Sequence, residues 1–297
     1  MTHGATPQRT ADEGAVQAPA TVAQALRAVA ALGLDRLDAQ LLLLHALGRP
    51  VHERAWLLAH DADVLPADAW GTLSRLGARR VAGEPVAYLL GEKEFHGLAL
   101  QVDARVLVPR PDTETLVDWA LDVLQGQVGP HVLDLGTGSG AIALALQHAR
   151  PDAQVDAVDA SDDALTVARQ NGRRLGLPVQ FSQADWLDGA ATGYGLIVSN
   201  PPYIAAGDPH LPALMHEPAS ALVSGADGLD DIRRIVRDAP SHLAAHGWLL
   251  LEHGHDQADA VRALLAAQGF AEVQSRPDLA GIARCTGGRV GGVSGGL

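Results

Sequence analysis

Short apolar segments alternate with stretches of helical periodicity from residue 109 to residue 286. This alternation constrains the fold most strongly, because strands separated by helices pair through crossover connections. It predicts an α/β domain whose mostly parallel sheet is covered by helices on both faces. The predicted strands are 131–135, 154–158, 179–182, 196–199, 247–252, 270–274 and 282–285. The predicted helices are 112–124, 141–148, 161–175, 230–239 and 256–268.

Two smaller segments and two tails complete the predicted organisation. Residues 21–85 carry apolar side chains at helical spacing, which indicates a small all-helical domain. Residues 86–108 contain short β-prone pieces separated by glycine, so a β-hairpin linker is expected there. Residues 1–20 and 287–297 are rich in small residues and lack periodicity, so both are predicted to be disordered tails.

The composition excludes several classes of function. The chain has 22 basic and 35 acidic residues and a formal net charge of -13, which argues against sequence-independent binding of nucleic acid through its phosphates. No apolar run approaches the roughly 20 residues of a membrane span, and the start lacks the apolar centre of a secretory signal. A cytoplasmic monomer is expected. The single cysteine, Cys285, permits no intramolecular disulfide and is predicted to be buried structure.

A glycine-rich loop follows the first predicted strand of the α/β domain. In "VLDLGTGSGAIALAL" three glycines stand between strand and helix, where glycine permits a sharp turn and a close approach to a ligand. Asp159 lies near the end of the next strand, where an acidic side chain commonly binds both ribose hydroxyls. These features predict a nucleoside ligand and leave NAD and S-adenosylmethionine open. The alternatives are a tight turn without a ligand and an N-cap role for Asp159.

The stretch "LIVSNPPYI" ends a buried strand at Asn200. Pro201 and Pro202 lack backbone N–H groups, so they end the strand and stiffen the loop before anything binds. An open parallel sheet binds ligands at the carboxyl ends of its strands, so Asn200 is expected beside the ligand of the glycine-rich loop. A strand-ending turn with an incidental tyrosine is the alternative interpretation.

Several motifs between residues 21 and 286 together resemble the release factor glutamine methyltransferases. The motifs are "AYLLGEKEFHGL", "VPRPDTE", "DLGTGSGAIALAL", "VSNPPYI", "HEPASALVSGADGL" and "LLLEHG". The resemblance implies a Rossmann-like class I S-adenosylmethionine-dependent domain with a seven-stranded sheet over residues 109–286. It also implies a helical N-terminal domain that engages a peptide chain release factor, and methyl transfer to the glutamine amide of that factor's Gly-Gly-Gln motif.

The same resemblance implies roles for individual residues. The implied cofactor-binding residues are Gly136, Thr137, Gly138, Ser139, Gly140, Asp159, Trp186 and Asn200. Among them, the loop would line the methionine part of the cofactor and Trp186 would pack near the adenine. The implied catalytic and substrate-binding residues are Asn200, Pro201, Pro202 and Tyr203, with Pro109, Arg110 and Glu114 shaping the acceptor pocket. The alternatives are a core role for Trp186 and an exposed helix start at "VPRPDTE".

The implied reaction poses a definite chemical problem. An amide nitrogen is a poor nucleophile, because its lone pair is delocalised into the carbonyl. Two rigid acceptors can hold its two N–H donors, and we assign them to the side-chain carbonyl of Asn200 and the backbone carbonyl of Pro201. Both bonds should strengthen as positive charge grows on nitrogen, while the Tyr203 ring packs on the planar amide. No general base of tuned pKa is expected to act before attack.

Other functions share some of these features. An adenine or cytosine amino-methyltransferase faces the same chemistry, but it needs a basic channel or a target-recognition domain. A glutamine methyltransferase for a ribosomal protein would share the core motifs, so only the N-terminal domain argues against it. A scaffold without catalysis has no need for the Asn-Pro-Pro-Tyr set. The cluster Glu252, His253 and His255 lacks the spacing of a metal site, so no metal is expected.

Overall fold

The computed structural model describes residues 19–291, which divide into two units between Leu89 and Leu90. Most of each expected tail, residues 1–18 and 292–297, therefore lies outside the described residues. Within the described part, no helix is both long enough and apolar enough to cross a membrane.

The first unit is helical, as the spacing of its apolar residues predicts. Its helices are α1 (Val22–Ala31), α2 (Arg36–Ala46), α3 (Arg54–Ala59), α4 (Ala67–Val81) and α5 (Val86–Leu90), the last of which reaches one residue into the second unit. Polar side chains cap two of them: Thr21 accepts from the N–H of Gln24, and Asp35 accepts from the N–H of Asp38. The core of the unit is formed by fully buried leucine, valine and alanine side chains.

A β-hairpin opens the second unit, where the sequence predicts a hairpin linker. Strands β1 (Glu92–Phe95) and β2 (Leu98–Gln101) pair antiparallel. Both turn residues have positive φ, 48° at His96 and 78° at Gly97. The hairpin is tied to the rest of the unit by the buried amide of Asn171, which accepts from the N–H of Gln101 and donates to its carbonyl at 2.7 and 3.0 Å.

A seven-stranded sheet forms the centre of the second unit, and it confirms the predicted fold class. Its strands are β3 (His131–Leu135), β4 (Gln154–Asp159), β5 (Gln180–Gln183), β6 (Tyr194–Ser199), β7 (Leu243–Glu252), β8 (Ala271–Pro277) and β9 (Ala283–Arg289). The spatial order is β5-β4-β3-β6-β7-β9-β8, and β9 runs antiparallel to both of its neighbours. The order reverses at β3, which pairs with β4 on one side and β6 on the other. Ligands of open α/β sheets bind at such a point.

Helices cover both faces of this sheet. They are α6 (Glu114–Val123), α7 (Ala141–Ala149), α8 (Asp162–Leu175), α9 (Asp230–Asp238) and α10 (Ala258–Ala267). A 3₁₀ turn, Pro111–Thr113, leads into α6. One buried cluster includes Trp119 and Leu144, and the other includes Ile197 and Ile232. The alternation of apolar strands and amphipathic helices has produced a sheet with a core on each face.

The last strand extends further than the sequence predicts. The disordered tail expected from residue 287 is wrong for its first three residues, because Gly287, Gly288 and Arg289 pair with β7. The prediction follows from the glycine-rich composition of this segment, and glycine normally weakens a strand. At Gly287, however, a Cβ would stand 2.7 Å from the carbonyl oxygen of Leu249 and 3.1 Å from the Trp119 ring. The strand needs glycine there because its neighbours approach so closely.

Candidate active site

A cavity of about 280 Å³ opens at the carboxyl ends of β3, β4 and β6, where the strand order reverses. Residues from the predicted site line it, namely Gly136, Gly138, Asp159, Trp186, Asn200 and Pro202. The glycine loop (residues 136–140) and the Asn-Pro-Pro-Tyr loop (residues 200–203) therefore meet at one cavity, although they are distant in sequence.

The glycine loop needs its glycines for conformation and for space. Gly136, Gly138 and Gly140 have φ of 67°, 56° and 85°, which other residues rarely adopt. A Cβ at Gly136 would lie 3.1 Å from the ring of Trp186, and one at Gly140 would lie 3.0 Å from Leu144. A Cβ at Gly138 would meet no atom within 4 Å. The loop is thus closely packed at both ends and open in the middle.

The two other loop residues hold the loop in shape. The Thr137 hydroxyl donates to the carboxylate of Asp134 at 2.6 Å, and Ser139 is buried with its carbonyl accepting from Asn171 at 2.9 Å. Neither is among the residues that line the cavity, and the cofactor contact predicted for both stays a prediction. Asn171 therefore joins the loop to the hairpin, and no local sequence pattern marks it for that role.

Asp134, which precedes the loop, was not predicted as a site residue. It is fully buried and accepts from Thr137 and from the N–H of Ala143. Burial raises the pKa of Asp134 to about 7, against the lowering effect of these two hydrogen bonds. The sequence does mark Asp134 in one way, because an acidic residue inside the apolar run "VLDL" is unusual for a buried strand.

Asp159 faces the cavity with both carboxylate oxygens engaged by the backbone. Its Oδ2 accepts from the N–H of Gly138 and its Oδ1 from the N–H of Ser161, each at 2.9 Å. The N-cap of α8 is Ser161, whose hydroxyl accepts from Ala164, so the alternative N-cap role for Asp159 is wrong. Each carboxylate oxygen can accept more than one hydrogen bond, which leaves capacity for a ligand.

Trp186 lies in the cavity wall and not wholly in the core. Its indole Nε1–H donates to Asp231 at 3.1 Å, and its backbone has a positive φ of 56°. Asp231 is fixed in turn, because its N–H donates to the Ser224 hydroxyl at 2.8 Å. With its polar atom satisfied, the indole leaves an apolar face for a ligand. Asp231 also lines the cavity and was not predicted.

The Asn-Pro-Pro-Tyr loop is held from several directions. The hydroxyl of Ser199, at the end of β6, donates to the carbonyl of Leu135 at 2.8 Å, and both prolines are buried. The side-chain Nδ2 of Asn200 donates to the Thr113 hydroxyl oxygen at 3.2 Å. The Tyr203 hydroxyl donates to Glu252 at 3.4 Å, and burial raises the pKa of this phenol, so it stays protonated.

The "VPRPDTE" residues divide between two tasks. Arg110 forms an ion pair with Glu217, whose other oxygen accepts from the N–H of Val108 at 3.0 Å. The charge of Arg110 also opposes the rise in the pKa of Tyr203 that burial causes. Glu114 instead accepts from the backbone of His96 at 3.2 Å and so holds the hairpin turn. Glu217 was not predicted.

The histidine and carboxylate cluster of the sequence is dispersed in the structure. His253 is buried and bonds to Thr286 at 2.7 Å, and burial lowers its pKa, whereas His255 is exposed. In residues 19–291, no group of three or more histidine, cysteine or acidic side chains is arranged to hold a metal. Cys285 is buried as predicted, and burial raises the pKa of its thiol.

Comparisons with known proteins agree with this architecture. A family model described as "Methyltransferase small domain" matches residues 115–259, and one described as "PrmC N-terminal domain" matches residues 18–91. A release factor glutamine methyltransferase of Burkholderia pseudomallei is 50% identical over 284 residues, covering 92% of this chain and 98% of that protein. One of Bordetella pertussis is 51% identical over 260 residues, covering 86% and 95%. The structure of a methyltransferase from Pyrococcus furiosus shares the fold, with a TM-score of 0.51 at 18% identity over 73% of this chain and 99% of that one.

Proposed function

This chain belongs to the release factor glutamine methyltransferases, and we propose that it methylates the side-chain amide nitrogen of the glutamine in a release factor's Gly-Gly-Gln motif, with S-adenosylmethionine as donor. The observation that carries the proposal is the convergence of the glycine loop, Asp159, Trp186 and Asn200 on one cavity. A cofactor site and an amide-binding loop are thereby adjacent, as methyl transfer between two molecules requires.

The cavity residues fit S-adenosylmethionine. The open space at Gly138 lets a ligand approach the backbone of the loop, which would hold the methionine part. The Asp159 carboxylate would accept from the ribose hydroxyls, and the Trp186 ring would pack against the adenine. When bound, this cofactor supplies a methyl group on a positively charged sulfur, which is open to attack by a nucleophile.

The Asn-Pro-Pro-Tyr loop would orient the acceptor. The contact between Asn200 Nδ2 and Thr113 turns the side-chain carbonyl of Asn200 away from Thr113, where it is available to accept from the glutamine NH₂. The backbone carbonyl of Pro201 would accept the second N–H. Bond formation between the nitrogen and the methyl carbon would break the bond from that carbon to sulfur, leave a neutral thioether and place positive charge on the nitrogen, until the nitrogen loses one N–H proton. Both hydrogen bonds would therefore stabilise the transition state more than the ground state.

The acceptor residue itself provides the test. The purified protein would be incubated with methyl-labelled S-adenosylmethionine and a release factor, and in parallel with the same factor carrying alanine in place of the Gly-Gly-Gln glutamine. We expect label on the first factor only. Equal labelling of both factors would place the methyl group elsewhere and contradict the proposal.

A further inference from the structure

Thr113 stands where the 3₁₀ turn Pro111–Thr113 meets the Asn-Pro-Pro-Tyr loop. Its side chain is buried, with 4% of the residue exposed, and its hydroxyl oxygen accepts from Asn200 Nδ2 at 3.2 Å. Thr113 is not among the residues that line the cavity, and its contact with the cavity wall is the hydrogen bond from Asn200.

A second buried polar side chain near this loop is Glu252. It ends β7 and is fully buried, its Oε2 has no hydrogen-bond partner among the described residues, and Thr113 opposes the rise in its pKa that burial causes. The Thr113 oxygen accepts from Asn200 Nδ2, so the NH₂ of Asn200 faces Thr113 and its carbonyl faces away.

Glu252 also holds the other functional side chain of the loop. It accepts from the Tyr203 hydroxyl at 3.4 Å. The charge of Arg284 favours its ionised form, and Arg284 lies 6.0 Å from the centre of the Tyr203 ring and 3.2 Å from the carboxylate of Asp112. The buried carboxylate therefore holds the ring of the Asn-Pro-Pro-Tyr loop, and Thr113 holds its amide.

We propose that Thr113 is a positioning residue that fixes the Asn200 amide with its carbonyl towards the acceptor glutamine. This inference rests on the proposed function, because it gives the Asn200 carbonyl the task of holding the acceptor nitrogen. We call the hydrogen bond from Asn200 Nδ2 to Thr113 the relay. Without it, the Asn200 amide can turn over and present its NH₂ to the NH₂ of the glutamine. The affinity for the cofactor would persist while the rate of transfer falls.

Three variants of buried threonines test the relay. Thr113→Val keeps the shape and removes the hydroxyl, and Thr113→Ser restores it. Thr286→Val is the matched control, because Thr286 is also buried and is hydrogen-bonded to His253 and Ser275, and within the described part of the chain it makes no hydrogen bond to Asn200. We expect Thr113→Val to lower kcat at least about tenfold, with KM for the release factor and Kd for S-adenosylmethionine within about twofold. Thr113→Ser and Thr286→Val should keep kcat near the wild-type value.

Hydrogen exchange of the Asn200 side chain gives a second readout that does not depend on activity. In ¹⁵N-labelled protein, its NH₂ should exchange with water faster in Thr113→Val than in wild type or Thr286→Val. Unchanged exchange, or unchanged kcat in Thr113→Val beside an active wild type, would overturn the relay. Failure of the wild type itself to methylate the release factor would overturn the proposed function, and exchange alone would then decide the relay.

Discussion

Asn200 is the residue that we propose holds the acceptor amide, and its side chain bonds to Thr113 from the wall of the cavity. Asn200→Ala should lower the rate of methyl transfer at least about a hundredfold, because one of the two acceptors for the glutamine NH₂ is lost. Binding of S-adenosylmethionine should persist, since the glycine loop and Asp159 remain. Calorimetric titration of the cofactor and label transfer to the release factor would measure the two properties. Undiminished turnover would remove Asn200 from the mechanism.

The charge of Glu252 should be visible in the pH dependence of transfer. Burial raises the pKa of Glu252 to about 7, with Asp112 raising it further and Thr113, Arg284 and Tyr203 lowering it; the Cys285 thiol lies close by. As pH falls through about 7 the carboxyl gains a proton and loses the negative charge that accepts from the Tyr203 hydroxyl, so the Tyr203 ring is held less firmly.

The wild-type kcat should therefore fall on the acidic side of about pH 7, and Glu252→Gln should give a low kcat without that limb. Gln is uncharged at every pH, as the protonated carboxyl is. Initial rates between about pH 6 and pH 8 would measure both profiles. An acidic limb that persists in Glu252→Gln would assign it to another group.

The strand β3 and its glycine loop enclose a carboxyl whose ionisation opposes folding. Because the pKa of Asp134 is raised to about 7 from 3.8, the folded state holds this proton more tightly than the unfolded chain. The contribution of Asp134 to stability is therefore complete below about pH 4 and is lost as pH rises through about 7. The loss lowers the free energy of unfolding by roughly 4 kcal/mol at most.

Urea unfolding at a series of pH values would measure this dependence. Asp134→Asn should reduce the decline of the unfolding free energy between about pH 4 and pH 8, and Glu252, whose shift has the same sign, should account for part of what remains. The control is Asp163→Asn, an exposed carboxylate in the first turn of α8, which should keep the wild-type decline. An identical decline in Asp134→Asn and wild type would contradict the account.

The elements around the site could be predicted because local patterns determine them. The strands β3, β4 and β6 carry apolar runs, and the loops that follow them carry glycine or proline, so their meeting at one sheet edge follows from parallel topology. Thr113 could not be found this way, because it lies in a short 3₁₀ turn and reaches Asn200 across 87 residues. Glu252 was visible in the sequence only as one member of a metal-like cluster. Its connection to Tyr203 depends on the packing of β7 against the loop.

The molecule combines a fold shared by many methyltransferases with a site that restricts which acceptor groups it can methylate. A fold alone does not specify a substrate, so the acceptor is argued from the Asn-Pro-Pro-Tyr loop and from family membership. The formal net charge of -13 also disfavours nucleic acid as the substrate, because its phosphate backbone is negatively charged. A protein acceptor fits both observations better than duplex DNA does.

The most direct measurement offers three acceptors to one enzyme preparation. A release factor, ribosomal proteins and unmethylated duplex DNA would each be incubated with the protein and methyl-labelled S-adenosylmethionine, and peptide mass spectrometry would locate any methyl group on protein. The account predicts label on the Gly-Gly-Gln glutamine of the release factor and none on DNA. Label on DNA or on a ribosomal protein alone would keep the chemistry of the Asn-Pro-Pro-Tyr loop and contradict the assigned substrate.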